Sequence, residues 1–366
     1  MKILLRFVAF GLLVSLLLTK LSVTLNPKFF WPLSFLGFMF PFVYVFGVLL
    51  FAWLLLSKDW TAIILLLVLI WTWPMAKLTY ATSEPQLAKH KIMIWNVKNF
   101  GLYERHTNMQ TRQQIMAEIK LANPDILCLQ EFYTNDQQFK NVEYIKDSLG
   151  YNYVHFNPSI SQTIKARNKT QKLTWKNGIL NQKWGVATFS KFPIEHAARL
   201  DFQNSQVNDC IYSDIEIDGK LTRVFNVHYE SVHLANQDYA TIDSLESVQS
   251  TRWSAIRSIL RKMKYANLRR AVQAEDVAEL VNSFDGRSIV CGDFNDIPVS
   301  YTYHHTKGNL QDAFVLCGNG YGATYVNNFP LFRIDYVLLD EQIQVKFYKR
   351  IDKVLSDHLG VVVGFE

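Results

Sequence analysis

The sequence predicts a layered α/β protein, two sheets with helices outside, carried behind an N-terminal block of transmembrane helices. Three observations lead there. Residues 1–76 hold only six charged residues (Lys2, Arg6, Lys20, Lys28, Lys58 and Asp59) among long apolar runs. Beyond residue 90, short apolar runs of strand length alternate with a segment of helical spacing. The polar residues at the ends of those runs are mostly carboxylates, carboxamides and histidines.

The membrane block comes first. Its apolar runs cover residues 4–23, roughly 33–56 and 60–76, and a helical span needs about 20 apolar residues. Five of the nine tryptophans (Trp31, Trp53, Trp60, Trp71 and Trp73) lie in or at the ends of these runs, as an interfacial belt does. A signal peptide fits less well, because more apolar sequence succeeds the first run and no cleavage site of small residues does. Residues 1–76 are therefore expected to form about three transmembrane helices of a multi-pass protein. Lys2, Arg6 and Lys58 fall on one side, and Lys20, Lys28, Lys77 and Lys89 on the other. That near balance leans to an extracytoplasmic position for the C-terminal part of the chain. A transporter is disfavoured, since the runs contain no charged residue at mid-membrane depth that would mark an ion path.

Residues 77–90 read as a linker, ending in the polar, proline-containing ATSEPQLAKH. Residues 91–366 read as one large domain. Of the chain's 38 basic and 32 acidic residues, 33 and 31 lie in 77–366, a net charge of +2. That argues against a global electrostatic grip on long duplex nucleic acid. Two local basic stretches stand out. Residues 157–183 carry Lys165, Arg167, Lys169, Lys172, Lys176 and Lys183 with no acidic residue and read as a loop or hairpin; the second stretch is RKMKYANLRR at 261–270. Each is either a solvated face or a surface that meets a phosphate-rich substrate or an anionic membrane. The four cysteines lack any CxxC or Cys/His metal spacing, and are read as unpaired structural residues.

Strand-like runs occur at 91–97, at ILCLQE after Pro124, at 184–190, 209–217, 221–228, 287–292, 333–339, 343–348 and 359–365. Helical spacing appears at 111–123, and about 237–283 reads as mostly helix. The chemistry-bearing residues sit at strand ends. Asn96 ends the first strand, Glu131 ends ILCLQE and His228 ends VFNVH; Asp293 and Asn295 come after SIVCG, Asp335 interrupts FRIDYVLL, and Asp357 and His358 precede LGVVVGF. Strand ends on one sheet edge converge on a cleft. Carboxylates and carboxamides there suit magnesium or manganese, a carboxylate can take a proton from an attacking water, and a histidine beside a buried aspartate is held charged. This set points to phosphoester hydrolysis.

The segments WNV, QE, NVHYES, GDFNDIP, RIDY and SDHLGV resemble, in the same order, those of the endonuclease/exonuclease/phosphatase superfamily. The resemblance covers about residues 90–366, and the combination of GDFN, RIDY and SDH is its specific part. It implies a four-layer α/β sandwich, two mixed sheets flanked by helices, with Mg²⁺ or Mn²⁺ as cofactor. It casts Glu131 as the main metal carboxylate, Asn96 as a support of the metal or phosphate, and Asp357 as a further metal contact. Asp293 then activates the water, Asn295 holds the phosphoryl group, and His358 stabilises the transition state with Asp335 orienting it. His228 matches the deoxyribonuclease- and sphingomyelinase-like members rather than the abasic-site enzymes, which carry a tyrosine there. The stretch from PVSYTY to RIDYVLL resembles bacterial members with apolar N-terminal segments, which implies a bacterial inner membrane. The substrate stays open between a phospholipid head group, nucleic acid and a small phosphoester. Membrane lipid is the other expected partner, and no sustained heptad signals a protein partner. The rival is an inactive, membrane-tethered binding protein of the same fold; a missing ligand, base or histidine would mark it, and every such position is filled.

Overall fold

The structure, a computed structural model, describes residues 2–103, 108–167, 171, 175, 178–203, 205, 208–232, 249–326 and 332–366. It divides into two compact units built from interleaved stretches of chain. The first comprises Met1–Ala81, Glu230–Ala278 and Asp296–Gly308; the second comprises Thr82–Tyr229, Glu279–Asn295 and Asn309–Glu366.

In the first unit the apolar runs form helices α1 (Lys2–Ser22), α2 (Leu36–Leu56) and α3 (Thr61–Ala76). Arg6 near the start of α1 pairs with Asp59 just before α3, and Lys20 near its end lies over Trp71 near the end of α3. Those contacts make α1 and α3 parallel, with α2 returning between them. Leu12 and Leu16 of α1, Leu50 of α2 and Leu65 of α3 share a core that Val299 joins. The outward faces are as apolar as that core: Phe7, Leu21, Phe42, Leu49, Ile63 and Leu67 are all exposed. Helix α4 (Gln249–Asn282), most of which lies in this unit, accounts for the helix expected from about 237; residues 237–248 lie outside the described residues.

The second unit holds two six-stranded mixed sheets. Sheet one contains β1 (His90–Asn96), β2 (Ile126–Asn135), β3 (Tyr153–Lys165) and β4 (Ile179–Ser190). Sheet two contains β5 (Ile194–Leu200), β6 (Cys210–Ile217), β7 (Lys220–His228), β8 (Arg287–Asp293), β9 (Gln311–Asp312) and β10 (Asp335–Leu339). β11 (Val345–Arg350) and β12 (Val361–Phe365) complete sheet one. The strand orders are β11-β12-β1-β2-β4-β3 and β9-β10-β8-β7-β6-β5. The layered α/β expectation, two mixed sheets flanked by helices, is the fold observed. The basic 157–183 segment is largely the β3–β4 hairpin; its Lys169, Lys172 and Lys176 lie outside the described residues.

Central strands read as near-continuous apolar runs because both of their faces are covered. Helices Asn108–Ala122 and Asn141–Leu149 bring Ile115, Met116, Ile119 and Ile145 against Met93, Trp95, Leu127 and Leu129 on one face of sheet one. Between the sheets, the Gln130 amide of β2 donates to Asn226 Oδ1 of β7 at 2.6 Å. Each sheet has a parallel pair at its centre, β1 with β2 and β7 with β8. Parallel neighbours end on the same edge, which is what places the strand-end polar residues together.

Gly292 shows how tightly β8 is held. Its φ is +126°, and a Cβ there would sit 2.1 Å from the Val227 carbonyl oxygen of the neighbouring strand. Gly292→Ala is therefore expected to cost about 3 kcal/mol or more, through strained backbone and a forced strand separation. Thermal denaturation of the variant checks this; an unchanged Tm would mean the two strands have room to part.

Candidate active site

Register builds the site. Across β7, β8 and β10, His228 lies opposite Asp293, and Asp293 opposite Asp335. On sheet one, Asn96 closes β1 opposite Gln130, and Glu131 comes next at an irregularity between Leu129 and Phe132. Such a bulge breaks the alternation of a strand and re-aims one side chain. Glu131 sits there at φ +47°, and Asn295 at φ +51°. Left-handed backbone in a non-glycine residue costs about 1–2 kcal/mol and concentrates at functional sites.

The two sheets meet at Asn96. Its amide nitrogen donates to Glu131 Oε1 at 3.1 Å and to Asp293 Oδ2 at 3.0 Å, and its oxygen accepts the Lys98 N–H at 3.1 Å. Asn295 donates its backbone N–H to Asp293 Oδ1 at 2.8 Å and its amide to the Tyr229 carbonyl at 2.9 Å. His358 Nδ1 lies 3.0 and 3.1 Å from the two oxygens of Asp335, while its Nε2 stands 3.7 Å from Asp293 Oδ2. His228 Nε2 stands 3.8 Å from that same oxygen. One carboxylate oxygen thus faces two imidazoles and two carboxamides, since the Asn295 amide also donates to it at 3.3 Å. Seven of the eight residues expected at the site are tied into this network, and Asp357, next to His358, joins through Lys98: Lys98 Nζ lies 3.0 Å from Asp357 Oδ2.

Burial sets the proton affinities. It pushes the Asp293 carboxyl up to about 6, against the facing His358 that favours its charged form. Burial on its own lowers an imidazole, but the carboxylates of Asp335 and Asp293 outweigh it and raise His358 to about 10. Near neutral pH the histidine is a cation and Asp293 an anion. Burial also raises Glu131, only partly offset by the Asn96 hydrogen bond and the charges of His358 and Lys98. A buried carboxylate in that condition is stabilised by a cation.

Asp293, Asp335 and His358 offer ligand atoms lying within 4.8 Å of one another, a grouping able to hold a metal ion. Glu131 also feels the charge of Asp357, which raises it further. The adjacent histidines His304 and His305 belong to the other compact unit.

Residues 93–358 match the model of the endonuclease/exonuclease/phosphatase family. The chain belongs to that family. Members of the endonuclease/exonuclease/phosphatase family are phosphoester hydrolases, and the chain carries their fold. Residues 2–79 match a separate domain of unknown function (DUF8431). No curated protein matches significantly. Among solved structures, an endonuclease/exonuclease/phosphatase protein from Beutenbergia cavernae is similar at 16% identity and TM-score 0.49, over 76% of this chain and 72% of that one. The human Nocturnin catalytic domain with bound sulfate is similar at 20% identity and TM-score 0.48, over 77% and 95%. A Bacteroides thetaiotaomicron mannosyl-6-phosphatase is similar at 17% identity and TM-score 0.48, over 76% and 100%.

Several supporting residues escaped the sequence reading. Trp95 Nε1 donates to the His358 carbonyl at 2.9 Å, and Ser356 Oγ donates to the Asn96 carbonyl at 2.8 Å. Thr324 Oγ1 accepts the Asp335 N–H at 3.1 Å. Lys98, Asn99 and Phe100 run in succession at φ +43°, +55° and +57°. Trp95 and Ser356 stand inside WNV and SDHLGV, and Thr324 inside the stretch from PVSYTY to RIDYVLL, but the sequence gives none of them a role and does not mark the left-handed turn.

Proposed function

We propose that the protein is a membrane-tethered phosphoester hydrolase dependent on Mg²⁺ or Mn²⁺. The observation that carries it is the opposed proton affinity of Asp293 and His358, held 3.7 Å apart beside the Asn96 bridge to Glu131. Asp293 orients the attacking water and takes its proton as the water oxygen bonds to phosphorus; the ester P–O bond opposite breaks, and the leaving oxygen departs with the bonding pair and takes a proton from solvent. Imidazolium His358, held by Asp335, donates to the phosphoryl oxygen on which charge grows. Asn295, held by Tyr229 and Asp293, keeps that group in line. His228 adds a second imidazole on the Asp293 side.

Glu131 and Asp357, with Asn96 in support, form the preferred metal site. The donors are hard oxygens, as Mg²⁺ requires, and the burial that raises Glu131 leaves a carboxylate that a cation would stabilise, with Lys98 turning aside from Asp357 when the metal binds. The alternative on Asp335 and His358 would break their hydrogen bonds and require a neutral ring. Lewis-acid stabilisation of phosphoryl charge is the chemistry such a cation supplies. Glu131→Gln is expected to raise the Mg²⁺ concentration for half-maximal activity by about 10-fold or more, with little change at saturating metal. An unchanged metal requirement would move the ion to the other grouping.

Membrane tethering is supported by α1 and α2, each 21 residues long. At 1.5 Å per residue that is about 31 Å, the thickness of a bilayer core. The apolar outer faces of the helices suit lipid better than water. Helix α3 has 16 residues and spans less comfortably. Tethering to a bacterial inner membrane, with an extracytoplasmic site, is the arrangement we favour.

The direct test assays the full chain in detergent with Mg²⁺, Mn²⁺ or EDTA against DNA, phosphorylcholine lipids and an aryl phosphodiester. Turnover abolished by EDTA supports the reading and names the substrate class. Absence of metal-dependent turnover on all three would favour an inactive binding protein.

A further inference from the structure

We propose that the N-terminal half of α4 lies on the membrane surface and binds anionic lipid head groups; this rests on the membrane-spanning reading of α1 and α2. The first observation is where α4 touches the chain between those helices. Lys264 Nζ lies 5.4 Å from the Trp31 ring centroid, and Glu275 Oε1 accepts from the Asn26 amide at 2.6 Å and from Tyr301 at 2.8 Å. Asn26 and Trp31 belong to the short connection between α1 and α2, where the chain leaves the bilayer on one side. Phe29 and Phe30 in that connection are exposed, as interfacial aromatics are.

The second observation is helical phase. At 3.6 residues per turn, Trp253, Arg257, Leu260, Lys264 and Glu275 fall within an arc of roughly 60°, with Arg261 on its flank. The face of α4 that meets the connection at Lys264 and Glu275 therefore continues toward the N-terminus for about 16 Å. Along that extension the residues are exposed: Trp253 by 63% and Leu260 by 39%, with Arg257 and Arg261 also open. Among the described residues nothing covers this exposed tryptophan and leucine, and the bilayer interface is an environment that suits them.

The third observation is charge. From residue 249 to 274 the sequence has seven basic and no acidic residues; two of them, Arg269 and Arg270, are paired with Glu230 and Asp296, so the charge available to a membrane lies toward the N-terminus. A juxtamembrane cluster of this kind is attracted to phosphatidylglycerol-type lipids and screened by salt. Trp253 and Leu260 then enter the head-group layer while Arg257, Arg261 and Lys264 meet its phosphates.

The test uses the full chain with Cys317→Ser and Trp253→Cys, labelled with bimane at residue 253, in lipid nanodiscs. One set of discs is phosphatidylcholine and the other contains about one third phosphatidylglycerol. In the anionic discs, neutral acrylamide is expected to quench the label about 3-fold less than in the neutral ones, while doxyl-labelled lipid quenches it strongly. Adding Arg257→Glu and Arg261→Glu should restore acrylamide access in the anionic discs. Equal access in both disc types would overturn the inference, whether or not the double variant folds. Alkaline carbonate extraction of unlabelled chain from membranes separates the two readings. Release by carbonate would sink the membrane-spanning reading and this one with it. Retention together with an open label would sink this one alone.

Discussion

Replacing His358 with alanine is expected to lower kcat by about 10³–10⁴-fold while leaving KM within a few-fold. The ring is buried, so no water takes over its work easily, and its Nε2 is the cationic donor nearest Asp293. Its charge is created by its neighbours. The carboxylates of Asp335 and Asp293 hold it at about 10 in spite of burial, so the donor is present through neutral pH and lost as pH rises toward 10. Asp335→Asn removes the larger of the two favourable charges. That variant should keep some activity and show its alkaline limb moved down toward neutral pH. A pH profile of kcat for the wild type and both variants reads this directly. If Asp335→Asn left the alkaline limb in place, the limb would belong to some other group. Stability carries the same sign. A histidine raised above its ordinary value stabilises the fold fully below about 6.5 and loses that contribution as pH rises through about 10. The Tm difference between the wild type and His358→Ala should therefore shrink across that window.

Much of this site is legible in the sequence, because strand ends are. An apolar run closed by Asn96, His228 or Asp293 says that the side chain stands where the strand leaves the sheet. What is not legible is which ends meet. The order β1-β2 and β7-β8, and the facing of the two sheets, depend on pairings between residues far apart in sequence. Glu131 illustrates the local limit. Simple alternation along ILCLQEF does not place it, because the break between Leu129 and Phe132 shifts the phase. Lys98 illustrates another: a lysine two residues past a strand reads as solvent-exposed, and only a left-handed turn returns it to Asp357. Division of the chain also differs from its linear reading. The sequence separates residues 1–76 from 91–366, whereas Glu230–Ala278 and Asp296–Gly308 group with the apolar helices in one compact unit. Amphipathic α4 gives no hint of that in its periodicity, since a helix face records that it is covered but not by what.

Replacing Asp293 with asparagine should be equally severe, about 10³-fold or more in kcat, and for a reason that separates chemistry from architecture. Asparagine has the same shape and can still accept the Asn295 N–H that now meets Asp293 Oδ1, while its amide nitrogen, standing in place of Oδ2, gives up the bond from Asn96. The strand pairing with Asp335 and His228 is backbone and does not depend on the charge. The variant should fold, with circular dichroism matching the wild type, and fail chiefly in taking a proton from water, the lost Asn96 bond being the smaller effect. Burial raises this carboxyl to about 6 and so makes it a better base than an exposed aspartate while it remains ionised at neutral pH. Activity of the wild type should thus climb through about pH 6, stay level, and fall near pH 10. The two limbs belong to a coupled pair rather than to two independent groups, since the same 3.7 Å separation lowers Asp293 and raises His358. Removing either charge should therefore displace the limb assigned to the other. With Asp293→Asn the residual activity should lose its acid limb, and its alkaline limb should move down because His358 then keeps Asp335 and the weaker influence of Asp357 but not Asp293. Residual turnover within about 10-fold of the wild type would place the base elsewhere. A lost acid limb with an unmoved alkaline one would mean that Asp335 and Asp357 set the charge of the histidine without Asp293.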